Sequence, residues 1–113
     1  MPRIAIATEN HKGLEDRVAE RFARSPTLTI IDVGTNGEIK NVKIIDNPGA
    51  QASSGAAVKT IQALVNEGVE IVVGPAFGPN AQAILYEMNI KAVTASPGTS
   101  VREAVEKALK EAK

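Results

Sequence analysis

Glu70-Ile71-Val72-Val73-Gly74-Pro75-Ala76-Phe77-Gly78-Pro79-Asn80-Ala81 is the stretch on which the fold turns. Glu70 to Val73 is a short apolar run that reads as a buried strand. Two Gly-Pro pairs follow, and Ala81, Ile84, Leu85 and Met88 then recur at helical offsets of zero, three, four and seven. Strand, rigid turn and helix with proline at its first position make a βα unit. At such a helix start the first N–H groups lack intrahelical partners and the dipole is positive, so an anion can be held there. The same residues also suit a rigid turn that binds nothing.

Upstream and downstream the period alternates in the same way. Ala57, Val58, Ile61, Leu64 and Val65 form a helical stripe that Gly68 can cap. Ile90 to Thr94 reads as a last strand. Ser100-Val101-Arg102-Glu103 is a capping-box pattern, and Val101, Ala104, Val105, Ala108, Leu109 and Ala112 make a third stripe. Before this half lie three strand-like runs, Arg3 to Thr8, Thr27 to Val33 and Glu38 to Asp46. Asn36-Gly37 between the last two predicts a hairpin with a type I′ turn. In Thr27 to Val33, Leu28 and Ile30 face one way and Ile31 and Val33 the other, so this strand is expected to be covered on both sides. The predicted order is β-β-β-α-β-α-β-α, an α/β fold with a mixed five-stranded sheet and helices on both faces.

Composition sets the outer bounds. The 113 residues suffice for one domain, residues 1–113, with a core that needs no staple. Thirteen basic and thirteen acidic residues cancel, so no net field draws the chain to nucleic acid or anionic membrane. Phe22, Phe77 and Tyr86 are its three aromatics, too few for a base-stacking surface. No apolar run approaches the roughly 18 residues of a membrane span, and the start reads as a strand rather than a signal peptide. A cytoplasmic protein without nucleic-acid or membrane partners is expected. The chain has no cysteine, which removes disulfides, thiol catalysis and conventional thiolate-held clusters. A single histidine, His11, makes a protein-only zinc site implausible.

If the first, fourth and fifth strands run parallel, loops 9–26, 47–54, 74–80 and 95–99 share the carboxyl edge, where open α/β sheets bind ligands. These loops carry the candidate residues. His11 can ligate a metal or move a proton, or can simply be solvated. Arg21 and Arg24 can clamp an anion, or can be solvated ends of a short turn. Ser53 and Ser54 read first as N-caps of the following helix and second as hydroxyls of an anion site. Gly74, Gly78 and Asn80 supply a backbone cradle. No nucleophile elbow, acidic cluster, Walker loop or GxGxxG fingerprint is present, so catalysis has no visible constellation.

Asn47-Pro48-Gly49-Ala50-Gln51, Gly55-Ala56, Asn66-Glu67-Gly68-Val69-Glu70 and Gly78-Pro79-Asn80-Ala81 together resemble the dinitrogenase iron–molybdenum cofactor biosynthesis family over nearly the whole chain. The resemblance implies an RNase H-like fold and a small stand-alone binding or carrier protein. Such a protein would hold an iron–sulfur or iron–molybdenum cluster transiently on the loop edge and meet cluster donor or acceptor proteins. Where the family shows histidine–phenylalanine–glycine, this chain has Arg21-Phe22-Ala23, which leaves His11 as its only imidazole and only candidate metal ligand. Amide nests and Arg21 or Arg24 could still hold an anionic cluster. The competing expectation is an enzyme or effector domain for a phosphorylated or carboxylated anion. Of the two, the non-catalytic carrier is favoured, and the sequence leaves the oligomeric state open.

Overall fold

Ile4 and Ile6 point to one face of the central strand β1 (Arg3–Thr8), Ala5 and Ala7 to the other, and all four are fully buried. In the computed structural model, which describes residues 2–111, β1 therefore lies inside an α/β fold covered on both faces. It pairs antiparallel with β2 (Thr27–Val33) and parallel with β4 (Ile71–Gly74). The edges are β3 (Ile39–Asp46), antiparallel to β2, and β5 (Lys91–Thr94), parallel to β4. The sheet order is β3-β2-β1-β4-β5, a mixed five-stranded sheet.

Two helices, α1 (Ala56–Asn66) and α2 (Pro79–Glu87), cover one face with Ile61, Leu64, Ala81 and Leu85. The third, α3 (Val101–Glu111), covers the other with Val101, Ala104, Val105 and Ala108. Ala5 and Ala7 sit on the two-helix face, in the same core cluster as the buried rings of Phe22 and Phe77. Leu28 and Ile30 join that core while Ile31 and Val33 join the other, the division expected of β2.

Local details depart from expectation at four places. The hairpin forms, but not through a type I′ turn. Only Gly37 has a positive φ, +84°; its N–H donates to the Gly34 carbonyl at 3.0 Å, and the Gly34 N–H donates to Glu38 at 2.7 Å. This is a three-residue loop closed by a left-handed glycine, and the register slips by one residue beyond Asp32. In α1, Val58 and Val65 are 56% and 39% exposed, and the fully buried Thr60 takes the core position between Ala57 and Ile61. Neither Ser53 nor Ser54 caps α1; Gly55 occupies the N-cap with φ +68° and no side-chain bond. Met88 ends α2 half-exposed rather than packed, and Ala112 lies outside the described residues.

The stops are those that glycine and asparagine permit. Gly68 has φ +71°, and the Val69 N–H reaches back to the Leu64 carbonyl at 3.0 Å. Asn89, at φ +59°, closes α2 in the same way through the Ile90 N–H and Leu85. Ser100 Oγ accepts the Glu103 N–H at 3.2 Å and so starts α3.

Candidate functional site

The carboxyl ends of β1, β4 and β5, the end of β3 and the start of β2 lie on one edge of the sheet. Two buried polar side chains order the loops that gather there. Asp16, 2% exposed, accepts N–H bonds from Asn10 at 3.0 Å, Lys12 at 3.3 Å and Arg17 at 2.8 Å, while its carbonyl accepts the Val101 N–H. The carboxylate thus gathers the segment after β1, and the backbone carbonyl of the same residue ties that segment to α3. Asn47 does the same for the loop after β3. Its Oδ1 accepts from the Gly49 N–H at 2.9 Å and the Thr60 hydroxyl at 3.0 Å, and its Nδ2 donates to the Ala23 carbonyl. A Cβ at Gly49 would overlap the Thr60 hydroxyl and come within 2.6 Å of the Ala56 carbonyl. Asn47-Pro48-Gly49 is therefore a clasp between two loops and α1.

The clasp holds one wall of a cleft of about 590 Å³. Arg21 and Arg24 line it on one side, and Pro75, Gly78, Pro79 and Asn80 on the other. Arg24 Nη1 donates to the Ala52 carbonyl at 2.6 Å, which fixes its side chain against the loop after β3. Among the described residues Arg21 has no ion-pair partner. Opposite it, Gly78 caps α2 in an extended conformation and Pro79 opens the helix. The Gln82 N–H makes the first bond back, to the Gly78 carbonyl at 2.9 Å, so the Asn80 and Ala81 amides precede the ladder. The Gln82 side chain braces the turn by donating to the Phe77 carbonyl at 2.7 Å.

The other candidates stand elsewhere. Gly74 ends β4 beneath the Phe22–Phe77 pair, whose ring centroids are 4.8 Å apart; a Cβ there would lie 3.2 Å from the Phe77 ring. Ser53 and Ser54 are exposed and line neither this cleft nor its neighbour around Val18 and Pro97. His11 is also outside both. Its Nε2 lies 2.8 Å from Asp46 Oδ1 beyond the end of β3, with both side chains largely exposed. Among the described residues no three His, Asp or Glu side chains converge as a metal site. The donors facing the cleft are guanidinium and amide N–H groups. Such a set holds an anion by hydrogen bonds and charge, with the Glu20 carboxylate as the one acidic group on the lining.

The clasp roles of Asp16 and Asn47 were not read from the sequence. Asn-Pro-Gly does carry a turn signal that points to Asn47, whereas nothing local marks Asp16, whose partners come from the folded loop.

At the opposite edge, the Arg3 guanidinium, 2.7 Å from Asp32 Oδ1, holds that carboxyl below the usual carboxylate range by hydrogen bonding and charge, against partial desolvation. This pair joins β1 to β2 and belongs to the scaffold.

Known proteins share the family and the fold. The family described as Dinitrogenase iron-molybdenum cofactor matches residues 2–111. An uncharacterized protein of Methanocaldococcus jannaschii is 27% identical over 103 residues, 91% of this chain and 81% of that one. The apo form of the orange protein from Desulfovibrio gigas has a similar structure, with TM-score 0.84 and 28% identity over 98% of this chain and 89% of that chain. A Thermotoga protein described as a NifB candidate is similar with TM-score 0.74 and 33% identity, covering 98% and 89% of the two chains. No helix among the described residues is long and apolar enough to cross a membrane.

Proposed function

The chain belongs to the dinitrogenase iron-molybdenum cofactor family, and from that premise we propose that it is a non-catalytic carrier of an anionic iron–sulfur or iron–molybdenum cluster. The cluster is cargo, held on the loop edge and exchanged with donor or acceptor proteins of cofactor biosynthesis. The sheet order with helices on both faces supports an RNase H-like reading of the scaffold.

One observation carries the proposal: Arg21, with no ion-pair partner among the described residues, lines the same cleft as the amide-rich start of α2. A cluster lodged there meets two guanidinium groups, Arg21 and Arg24, against the one carboxylate of Glu20, and N–H donors from Asn80 and Ala81, with Gly78 leaving room for close approach. Phe22, Ala57 and Ala76 supply a less polar lining that strengthens those contacts. Ser53 and Ser54 lie on the adjoining loop as outer hydroxyls. His11 would join only by giving up Asp46. The related orange protein is described in an apo form, which implies a bound form of that protein and accords with a carrier.

The test is anaerobic cluster uptake by Arg21→Ala and by Arg21→Ala/His11→Ala. Retention should fall at least about tenfold in the single variant, the loss expected for one charged hydrogen-bonding group. Unchanged retention in the double variant would discard this residue assignment. A turnover screen with phosphorylated and carboxylated small molecules should be blank for a carrier; turnover would favour the enzyme reading.

A further inference from the structure

The five arginines of the chain divide into two groups. Arg3 pairs with Asp32 at 2.7 Å and Arg102 with Glu15 at 3.3 Å. Arg17, Arg21 and Arg24 pair with no carboxylate among the described residues, and all three line one further cleft of about 680 Å³. This cleft lies between the segment after β1 and the loop after β5, where Pro97 and Gly98 form the far wall. Residues 20–24 form the ridge that separates it from the Gly-Pro cleft, and Arg21 and Arg24 reach both sides.

Backbone hydrogen bonds join the walls. The Val18 N–H donates to the Thr99 carbonyl at 2.8 Å, the Gly98 N–H to Val18 at 2.9 Å and the Ala19 N–H to Ala7 at 2.8 Å. Arg17 is held by its own N–H to Asp16 and by a β-bridge to Ser100, so its side chain leaves from a fixed point. Two carboxylates also line the cleft, and one of them, Glu9, already accepts the Glu20 N–H at 3.0 Å. Three guanidinium groups against two carboxylates leave an excess positive charge on a shaped surface. Guanidinium forks match the paired oxygens of a tetrahedral oxyanion.

We propose that this cleft is a second anion subsite, which takes a tetrahedral oxyanion with Arg17 as its determining residue. It rests on the reading of this edge as ligand-binding but not on the identity of the cluster. The oxyanion is either free or the phosphoryl group of a larger molecule whose less polar part crosses the ridge toward Pro75 and Ala76.

The experiment is a titration of the full chain with inorganic phosphate and, separately, phenyl phosphate, followed by amide chemical shifts. Shifts are expected at Val18, Ala19 and Gly98, with apparent affinity about tenfold weaker in Arg17→Gln and partly restored in Arg17→Lys. Equal affinity for the two probes identifies a free oxyanion; tighter phenyl phosphate identifies a phosphoryl group on a larger ligand. No saturable shift, shifts confined to Asn80 and Ala81, or an Arg17→Gln chain that binds like the original would overturn the subsite. Cluster uptake by Arg17→Gln separates the two readings. Uptake that persists while phosphate binding is lost supports two subsites. Uptake that fails in the unmodified chain while phosphate still binds refutes the carrier and leaves the oxyanion site standing.

Discussion

Gly49 lines neither cleft, yet its missing side chain decides how two loops meet. The Thr60 hydroxyl and the carbonyls of Ala56 and Ala23 fill the space a Cβ would need. Gly49→Ala should therefore destabilise the protein by about 1–3 kcal/mol, the usual range for overpacking a tight site. A urea melt that shows a shift in midpoint at constant slope checks this. Asn47→Ala should cost a similar amount, because it leaves the Thr60 hydroxyl and Gly49 N–H with fewer partners. Asp32 sets a different test. Its carboxyl is held below the usual range by Arg3, so the stabilisation it brings is complete above about pH 4 and fades as pH falls through its folded-state value. Asp32→Asn should accordingly flatten the acid limb of the stability curve and leave its alkaline limb unchanged. An unaltered acid limb would remove this pair from the acid-labile part of the fold.

The elements show what local pattern can and cannot reveal. Strand β1 announces itself as a short apolar run and β2 as a run rich in Ile, Val and Thr, and the division of β2 between two cores follows from side-chain direction alone. The stripe of α1 was harder to read. Val58 and Val65 share a face seven residues apart, but Ala57, Thr60, Ile61 and Leu64 point at the sheet. A buried threonine wins that place because Asn47 and Ala23 satisfy its hydroxyl, a partnership made only by the folded loops. Consequently Val58→Lys should change stability by less than about 0.5 kcal/mol, while Leu64→Ala should cost about 2–5 kcal/mol. Comparable losses in both variants would contradict the assigned face. The turn departs from its local signal for a related reason. Asn-Gly signals a hairpin, but loop length selects the turn type, and length is set by strand pairing further away.

Across the whole molecule, βα units and a hairpin bring the loops to one edge, and that convergence was legible from element order. Which loop residues share a cleft was not. Arg21, Arg24, Gly78 and Asn80 line one cleft, whereas His11 is bound to Asp46, and Ser53 and Ser54 line neither cleft. Spacing along the chain holds no record of such distances. A ligand held by exposed guanidinium groups must also respond to salt. Raising ionic strength from about 0.1 M to about 1 M shortens the screening length from about 10 Å to about 3 Å. Cluster affinity should fall across this range in the unmodified chain and less steeply in Arg21→Ala. The central claim is tested most directly by anaerobic titration of the purified chain with an iron–molybdenum–sulfur cluster, then metal analysis after gel filtration. The account predicts stoichiometric retained metal that is largely lost in Arg21→Ala; no retained metal in the unmodified chain would contradict it.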